Sequence, residues 1–278
     1  MITRIDLAKV LYLSCVENYF LAWLNRYYAV EKLYGQSFVS IGQIFDEFAH
    51  GATYENYCTI PRLQDVAEEY GIAEHEYKRL KTGEAIEYMK SQREKTLCLA
   101  RVNTNFFDYY RRSSWREDHY ICIDGTLTWL NQYPLSDGVF TYTAFDRVYD
   151  GALSVYRLKD LSVTPPDKMS EEISRQDLKE IKLPERLQSI ESAIGILRVT
   201  RRRMAAYYCD NAEATAILTK EIQTLDEMYF MIRMKQIKES GGADKNELRT
   251  GVKESLKVPL EKVLEAERHL QEVMRNGL

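Results

Sequence analysis

A cysteine stands at the start of a predicted helix near the beginning of the chain. Ser14 and Glu17 form the S-x-x-E pattern of a capping box, in which each side chain bonds the backbone amide of the other residue. Cys15 then occupies the first helical position, where free amides and the positive end of the helix dipole stabilise a thiolate. Because this lowers the pKa of a thiol, the position predicts a nucleophile at neutral pH. On the helix alone, a small buried hydrophobic residue is the simpler interpretation of Cys15.

A nucleophilic cysteine needs a base, and His119 is the best candidate because it begins a strand pattern before a predicted hairpin. If residues 124–126 form a three-residue turn, His119 lies opposite Asn131, and opposed side chains are close enough to bond. A two-residue turn removes that pairing, and Asp118 and Asp124 are then the alternative partners. Taken by itself, His119 is more simply interpreted as a structural histidine.

Residues close to this couple are the predicted substrate contacts. The first backbone amide of the helix, helped by Asn18 one turn on, would hold an oxyanion, although Asn18 could equally be a packed polar residue. Trp115 lies in the aromatic loop 103–118, which is predicted to line an acyl or acceptor pocket, although such loops often only cover a core. Tyr19 and Tyr120 complete the predicted oxyanion and substrate-binding set.

The remaining cysteines and the histidines predict no metal centre. Cys98 and Cys122 lie in strand patterns typical of core positions, whereas Cys58 lies in a tyrosine-rich loop and is the rival nucleophile. The 5 cysteines are widely spread without a C-x-x-C pair, and the 4 histidines are far apart. This use of cysteine is typical of a reducing compartment, so we expect a cytoplasmic protein.

The order of cysteine on an early helix, histidine on a later strand and asparagine on the next strand is the papain-type constellation. Three segments make the resemblance more specific: S-C-V-E-N-Y at 14–19, D-H-Y-I-C-I-D-G at 118–125 and F-D-R-V-Y-D-G at 145–151. They resemble the N-terminal domain of butirosin biosynthesis protein H and its relatives, over residues 10–158. That family is related in fold to the bacteriocin-processing cysteine peptidases, so the resemblance implies a papain-like fold.

The resemblance also implies a reaction. Cys15 would take an acyl or peptidyl group from a carrier-protein thioester and pass it to a small amine, in natural-product biosynthesis. His119 would be the base, and Asn131 or a nearby Asp would orient it. No cofactor is implied except phosphopantetheine as part of the carrier. Papain-like enzymes usually have a Gln several residues before the Cys, but residues 8–10 are Ala, Lys and Val, a departure that favours acyl transfer from an activated thioester over peptide cleavage.

Composition excludes some partners. The chain has 278 residues, of which 45% are hydrophobic and 29% are charged, with a net charge of -4. This acidic balance argues against general nucleic-acid binding, which needs a basic surface. No apolar run approaches the roughly 20 residues of a membrane span, so we expect no membrane partner.

The order of the patterns predicts an α+β protein in which helices precede an antiparallel sheet. Strands are expected at 96–102, 119–123, 127–130 and 153–158, with a papain-like catalytic domain over 1–160. Residues 161–185 contain Pro165, Pro166 and Pro184 and are predicted to be a linker. A helical bundle is expected over 186–278, and a homo-oligomer formed through these helices is left open.

Capping patterns also predict two further helix starts. Ser40 and Gln43 form a second capping box, and Thr82 is expected to cap another helix. In the helical bundle, Pro259 is expected to kink or restart the last helix.

Two other classes of function compete with acyl transfer. A papain-like peptidase or amidase would use the same residues, whereas a non-catalytic scaffold or carrier-docking protein would work through its helical bundle. The basic run Arg198, Arg201, Arg202 and Arg203 is usually a solvated helix face. Its charge could alternatively speed the docking of an acidic carrier protein.

Overall fold

The computed structural model describes residues 2–53, 60–103, 119–178, 181–240 and 245–277. It divides into two compact units, of which unit 1 is Met1–Val30 with Leu63–Thr164 and unit 2 is Glu31–Arg62 with Pro165–Leu278. Each unit is built from two separate stretches of chain. The sequence instead predicted contiguous domains, because local patterns do not reveal which distant helices residues 31–62 join.

Unit 1 is built on a six-stranded antiparallel sheet, which confirms the α+β class and the antiparallel pairing. The strand order is β1-β6-β2-β3-β4-β5. The bounds predicted for β2 and β3 are those observed. The strands are β1 Ala73–Arg79, β2 Thr96–Val102, β3 His119–Ile123, β4 Thr128–Asn131, β5 Ser136–Val139 and β6 Tyr149–Leu158.

Helices flank the sheet in unit 1 and form most of unit 2. In unit 1 they are α1 Arg4–Ala8, α2 Cys15–Leu24, α5 Leu63–Glu69, α6 Thr82–Lys90 and α7 Tyr142–Val148. In unit 2 they are α3 Glu31–Tyr34, α4 Ile41–Ala49, α8 Met169–Arg175, α9 Leu187–Tyr207, α10 Ala212–Ser240 and α11 Lys245–Gly277.

The two faces of the sheet have different helices against them. Alternate strand residues such as Val102, Ile121 and Val155 form one core cluster with α6 and α7. On the opposite face, the ring of Phe20 from α2 packs edge-on against Tyr156 of β6, with 5.1 Å between ring centroids. Because both faces are covered, the central strands are nearly continuous hydrophobic runs, which explains why β2 was recognisable from its sequence.

Helix starts were predicted with mixed success. The capping box at Ser40 and Gln43 is confirmed, since each side chain bonds the other residue's backbone amide at 3.2 Å. Thr82 was expected to cap α6, but the cap residue is Lys81, and Glu84 accepts its amide at 3.0 Å. Thr82 instead donates its hydroxyl to Asp146, a partner 64 residues away that no local pattern could reveal.

In unit 2 the predicted linker contains a helix, and the last helix is continuous. Residues 169–175 form α8, which buries Met169 and Ile173 against the long C-terminal helices. Two apolar residues in seven gave too short a pattern for a helix to be predicted. Pro259 was expected to kink or restart the last helix; the helix does not restart there, since Pro259 lies inside α11.

The basic run on α9 is not a solvated face. The side chains of Arg201 and Arg203 are fully buried, and those of Arg198 and Arg202 both bond Asp226 on α10. The interpretation as a solvated face was therefore wrong for Arg201 and Arg203, whereas docking of an acidic carrier stays a prediction. A one-dimensional run of arginines does not show that two of them point into a helix bundle.

Arg201 lies at the centre of a buried polar cluster formed by three helices. Its Nε donates to Glu221 of α10 at 2.9 Å and to Glu267 of α11 at 2.6 Å, and one terminal nitrogen donates to the carbonyl of Val39 at 3.0 Å. Gln176 donates to the other oxygen of Glu267 at 2.7 Å. Burial and the charge of Glu267 raise the pKa of Glu221 well above its ordinary value.

Candidate active site

Cys15 begins α2, as the sequence predicted. The hydroxyl of Ser14 accepts the backbone amide of Glu17 at 3.2 Å, which is the expected cap. Glu17, however, accepts the amide of Leu13 at 2.5 Å and that of Leu63 from α5 at 3.0 Å, with its side chain 1% exposed. The predicted return bond to Ser14 is thus replaced by bonds that fix the start of α2 against α5.

His119 and Asn131 form a buried hydrogen bond. The distance from Nε2 of His119 to Oδ1 of Asn131 is 2.6 Å, and the two side chains are 4% and 0% exposed. Asn131 donates its Nδ2 to the carbonyl of Pro134 at 2.9 Å, which leaves Oδ1 as the atom that faces the ring. An amide oxygen only accepts, so Nε2 carries the proton and Nδ1 is the basic nitrogen of the neutral imidazole.

The pair forms through a different register from the one predicted. Ile123 pairs with Trp129 and Cys122 with Leu130, and the amide of Asp124 donates to the carbonyl of Thr128 at 3.1 Å, so residues 125–127 close the hairpin in place of the predicted 124–126. Continuing this register places Asn131 opposite Ile121, two residues from His119 on the same face. Diagonal neighbours of this kind are still within reach of long side chains. The expected three-residue turn was therefore misplaced by one residue, although the side chain that it selected does contact His119.

Tyr19 connects the start of α2 to the end of β4. Its hydroxyl accepts the backbone amide of Gln132, next to Asn131, at 2.8 Å. Cys15 and Tyr19 lie one turn apart on the same side of the helix. Tyr19 is 0% exposed, so this bond ties α2 to the end of β4 from inside the core, and its contact with substrate stays a prediction. Sequence reasoning missed this bond because a backbone amide has no side-chain signature.

His119 and the helix that carries Cys15 lie on opposite faces of the sheet. His119 pairs with Val102 and therefore faces the core cluster that α6 and α7 cover, whereas α2 packs against the opposite face. His119 is the first residue of β3 and Asn131 the last of β4. If Cys15 and His119 come into contact, they do so at the end of the sheet where β3 begins and β4 ends.

The other residues predicted to contact substrate or to orient His119 have different environments. Asn18 is 1% exposed and its Oδ1 has no hydrogen-bond partner in the described part of the chain. Tyr120 alternates with His119 and so lies on the opposite face of β3, away from the pair. Asp124 accepts the amides of its own turn and is not the partner of His119. Trp115 and Asp118 lie outside the described residues.

The remaining cysteines differ sharply in environment. Burial raises the pKa of Cys98 and of Cys122 to about 12, so both remain neutral thiols in the sheet. This agrees with the core positions predicted for them. Cys209 is exposed and Cys15 is intermediate in exposure, whereas the rival Cys58 lies outside the described residues. An alkylation experiment therefore has to separate Cys15 from Cys209.

Burial lowers the pKa of His119, and the bond to Asn131 opposes this only in part. At pH values between the lowered pKa and the ordinary histidine pKa of 6.5, His119 is protonated more in the unfolded chain than in the native one. The free energy of unfolding is therefore expected to fall as the pH falls below 6.5. The variant His119→Gln removes the titrating group and should flatten this dependence.

The measurement is urea unfolding at a series of pH values, followed by tryptophan fluorescence. All three tryptophans lie in the sequence of unit 1, so the signal reports on the unit that contains His119. His50→Gln, an exposed histidine of unit 2, is the matched control. Equal pH slopes for wild type and His119→Gln would contradict the expectation.

Within the described ranges, no group of three His, Cys, Asp or Glu side chains is arranged to hold a metal ion. None of the helices described there is long and apolar enough to cross a membrane. We also compared the chain with known proteins. No protein-family model matches it, and neither does any curated protein.

Proposed function

We propose that the chain is a cysteine-dependent acyltransferase of papain-like fold, with Cys15 as nucleophile, His119 as base and Asn131 as the residue that orients the base. The observation that carries the proposal is the buried bond between Nε2 of His119 and Oδ1 of Asn131. It leaves Nδ1 as the proton acceptor at the end of the sheet where Tyr19 anchors the start of α2. The likeness to the butirosin biosynthesis protein H family supports the same assignment.

The environment of Cys15 makes a base necessary. The start of α2 offers free amides to a thiolate, but the buried carboxylate of Glu17, two residues on, repels negative charge there. The dipole alone is therefore a weak activator, and removal of the thiol proton is assigned to Nδ1 of His119. The backbone amide of Cys15 and the side chain of Asn18 are the proposed oxyanion donors.

The proposed reaction has two steps. Cys15 gives its proton to His119 and attacks the carbonyl carbon of an acyl or peptidyl thioester on a carrier protein. The carbon–sulfur bond to the carrier breaks, and His119 returns the proton to the departing carrier thiol. An amine then attacks the acyl-Cys15 thioester and loses one proton through His119, which leaves an amide product and the Cys15 thiol.

Intact-mass measurement after mixing the chain with an acyl-carrier thioester tests this proposal. The chain is expected to gain the mass of the acyl group and to lose it when an amine is added. Cys15→Ala should abolish the gain, because Cys15 is the proposed nucleophile, whereas Cys209→Ala should retain it. Full turnover by Cys15→Ala would overturn the proposal. Cleavage of a peptide without any carrier would assign the same residues to a peptidase.

A further inference from the structure

A groove of about 570 Å³ lies in unit 1, away from the candidate active site. Its walls come from the end of α2, the segment between α6 and β2, and residues 124–126. β2 begins and β3 ends at this groove, whereas His119 lies at the other end of β3. Its size is that of a pocket for a small molecule.

Positive side chains predominate around the groove. The cations come from two separate parts of the chain, the end of α2 and the stretch 90–95, so the charge faces the space from more than one side. Of the two carboxylates, Asp124 already accepts the amides of Thr126 and Thr128. Such a cluster attracts anions and raises their local concentration. The charged lining residues are Arg26, Lys90, Arg93, Glu94, Lys95 and Asp124.

A buried donor in the wall lacks an acceptor. Trp23 lines the groove with only 3% of its surface exposed, and its indole Nε1 has no hydrogen-bond partner among the described residues. A buried N–H group without an acceptor is destabilising, so native structures rarely leave one. An oxygen atom that reached this N–H from the groove would satisfy it.

Two backbone features build the aromatic and cationic wall. Lys95 has a φ of 68°, a left-handed conformation that non-glycine residues seldom adopt, and its ammonium lies 5.6 Å from the ring centroid of Tyr27. Gly125 faces the end of α6, where an added Cβ would lie 2.8 Å from the backbone of Lys90. Only glycine therefore allows the hairpin turn to approach α6 this closely and to form one wall.

We propose that this groove binds a small oxyanion, a phosphate or a carboxylate, attached to a planar ring. Arg93 and Lys95 would hold the oxyanion, Trp23 would donate its indole N–H to a ligand oxygen, and Tyr27 would contact the ring. The neutral thiols of Cys98 and Cys122, which also line the groove, add no opposing charge. This inference does not depend on the acyltransferase proposal.

Titration calorimetry with the full chain tests the assignment, using AMP, benzoate, inorganic phosphate and adenosine as probes. AMP or benzoate is expected to bind, phosphate to compete with it, and the uncharged adenosine to bind at least about 10-fold more weakly. Whichever of AMP and benzoate binds more tightly identifies whether the natural ligand is a phosphate or a carboxylate. Affinity should also fall as salt is added, since exposed charges are screened.

Variants locate the binding. Lys95→Ala and Trp23→Phe are each expected to weaken binding roughly 10-fold, because each removes one donor, while Trp23→Phe keeps a ring in the wall. Lys9→Ala, at an exposed lysine of unit 1 outside the groove, should bind as wild type does. No binding of either ring-bearing anion at millimolar concentration would overturn the proposal. So would equal binding of adenosine, or an equal loss in Lys9→Ala.

Discussion

Replacing His119 by alanine is expected to slow formation of the acyl-Cys15 intermediate by about 10²- to 10⁴-fold, the usual contribution of a positioned general base. The bond to Asn131 uses Nε2, so Nδ1 of His119 is the ring nitrogen proposed to take the thiol proton. The measurement is the rate of acyl transfer from a carrier thioester, followed by intact mass in a Cys209→Ala background.

Two controls separate chemistry from folding. His75→Phe removes a second histidine from the same sheet but keeps a ring to stack on Tyr156, and it should react as wild type does. In His119→Ala, free imidazole should restore part of the rate, because it can enter the space that the buried ring vacates. A variant that folds, as judged by circular dichroism, and reacts at the wild-type rate would remove His119 from the mechanism.

Asn131 variants test orientation separately from proton transfer. Asn131→Ala leaves the imidazole without its partner, and misplacement of the ring is expected to cost about 10²-fold in rate. Asn131→Asp retains an acceptor for Nε2 but adds a negative charge, which would raise the pKa of His119. The acid limb of the rate profile should then move to higher pH. An unmoved profile together with an unchanged rate would show that Asn131 has no such role.

The second large effect concerns the stability of unit 2. Arg201→Met is expected to lower the free energy of unfolding by about 3–5 kcal/mol, because it leaves Glu221 and Glu267 buried without their cation. Arg202→Met is the matched control on the same helix. Its pair with Asp226 is partly exposed, so its loss should cost less than about 1 kcal/mol.

Urea unfolding followed by helical circular dichroism measures both variants. The triple variant Arg201→Met, Glu221→Leu, Glu267→Met should recover most of the lost stability, since replacing a whole buried ionic group by apolar residues is often neutral. Equal losses for Arg201→Met and Arg202→Met would contradict the assignment of Arg201 as the central residue of the cluster.

The same cluster has an expected pH dependence. The pKa of Glu221 is raised in the native state, so the native protein binds more protons than the unfolded chain above the ordinary value of 4.5. The stability of unit 2 should therefore fall as the pH rises from 4.5 through the raised value. Glu221→Gln cannot ionise and should lose this dependence.

Strong local patterns predicted local structure well. The capped start of α2, the capping box of α4 and the bounds of β2 and β3 follow from residue types within a few positions of each other. Hydrogen bonds that close within one turn, or apolar runs that fill one strand, depend little on the rest of the chain. The same local argument failed at Thr82, because its hydroxyl donates a hydrogen bond to Asp146 of α7 and does not cap α6.

By itself, the sequence determined that Cys15 begins a helix, that His119 begins a strand and that an antiparallel sheet follows the first helices. Only the tertiary structure decided that Asn131 of β4 bonds His119, its diagonal neighbour on β3. It also decided that Glu17 bonds the amide of Leu63, and that Arg201 is buried between Glu221 and Glu267. The physical reason is distance along the chain. Contacts between residues many positions apart depend on register and packing, which no short window of sequence encodes.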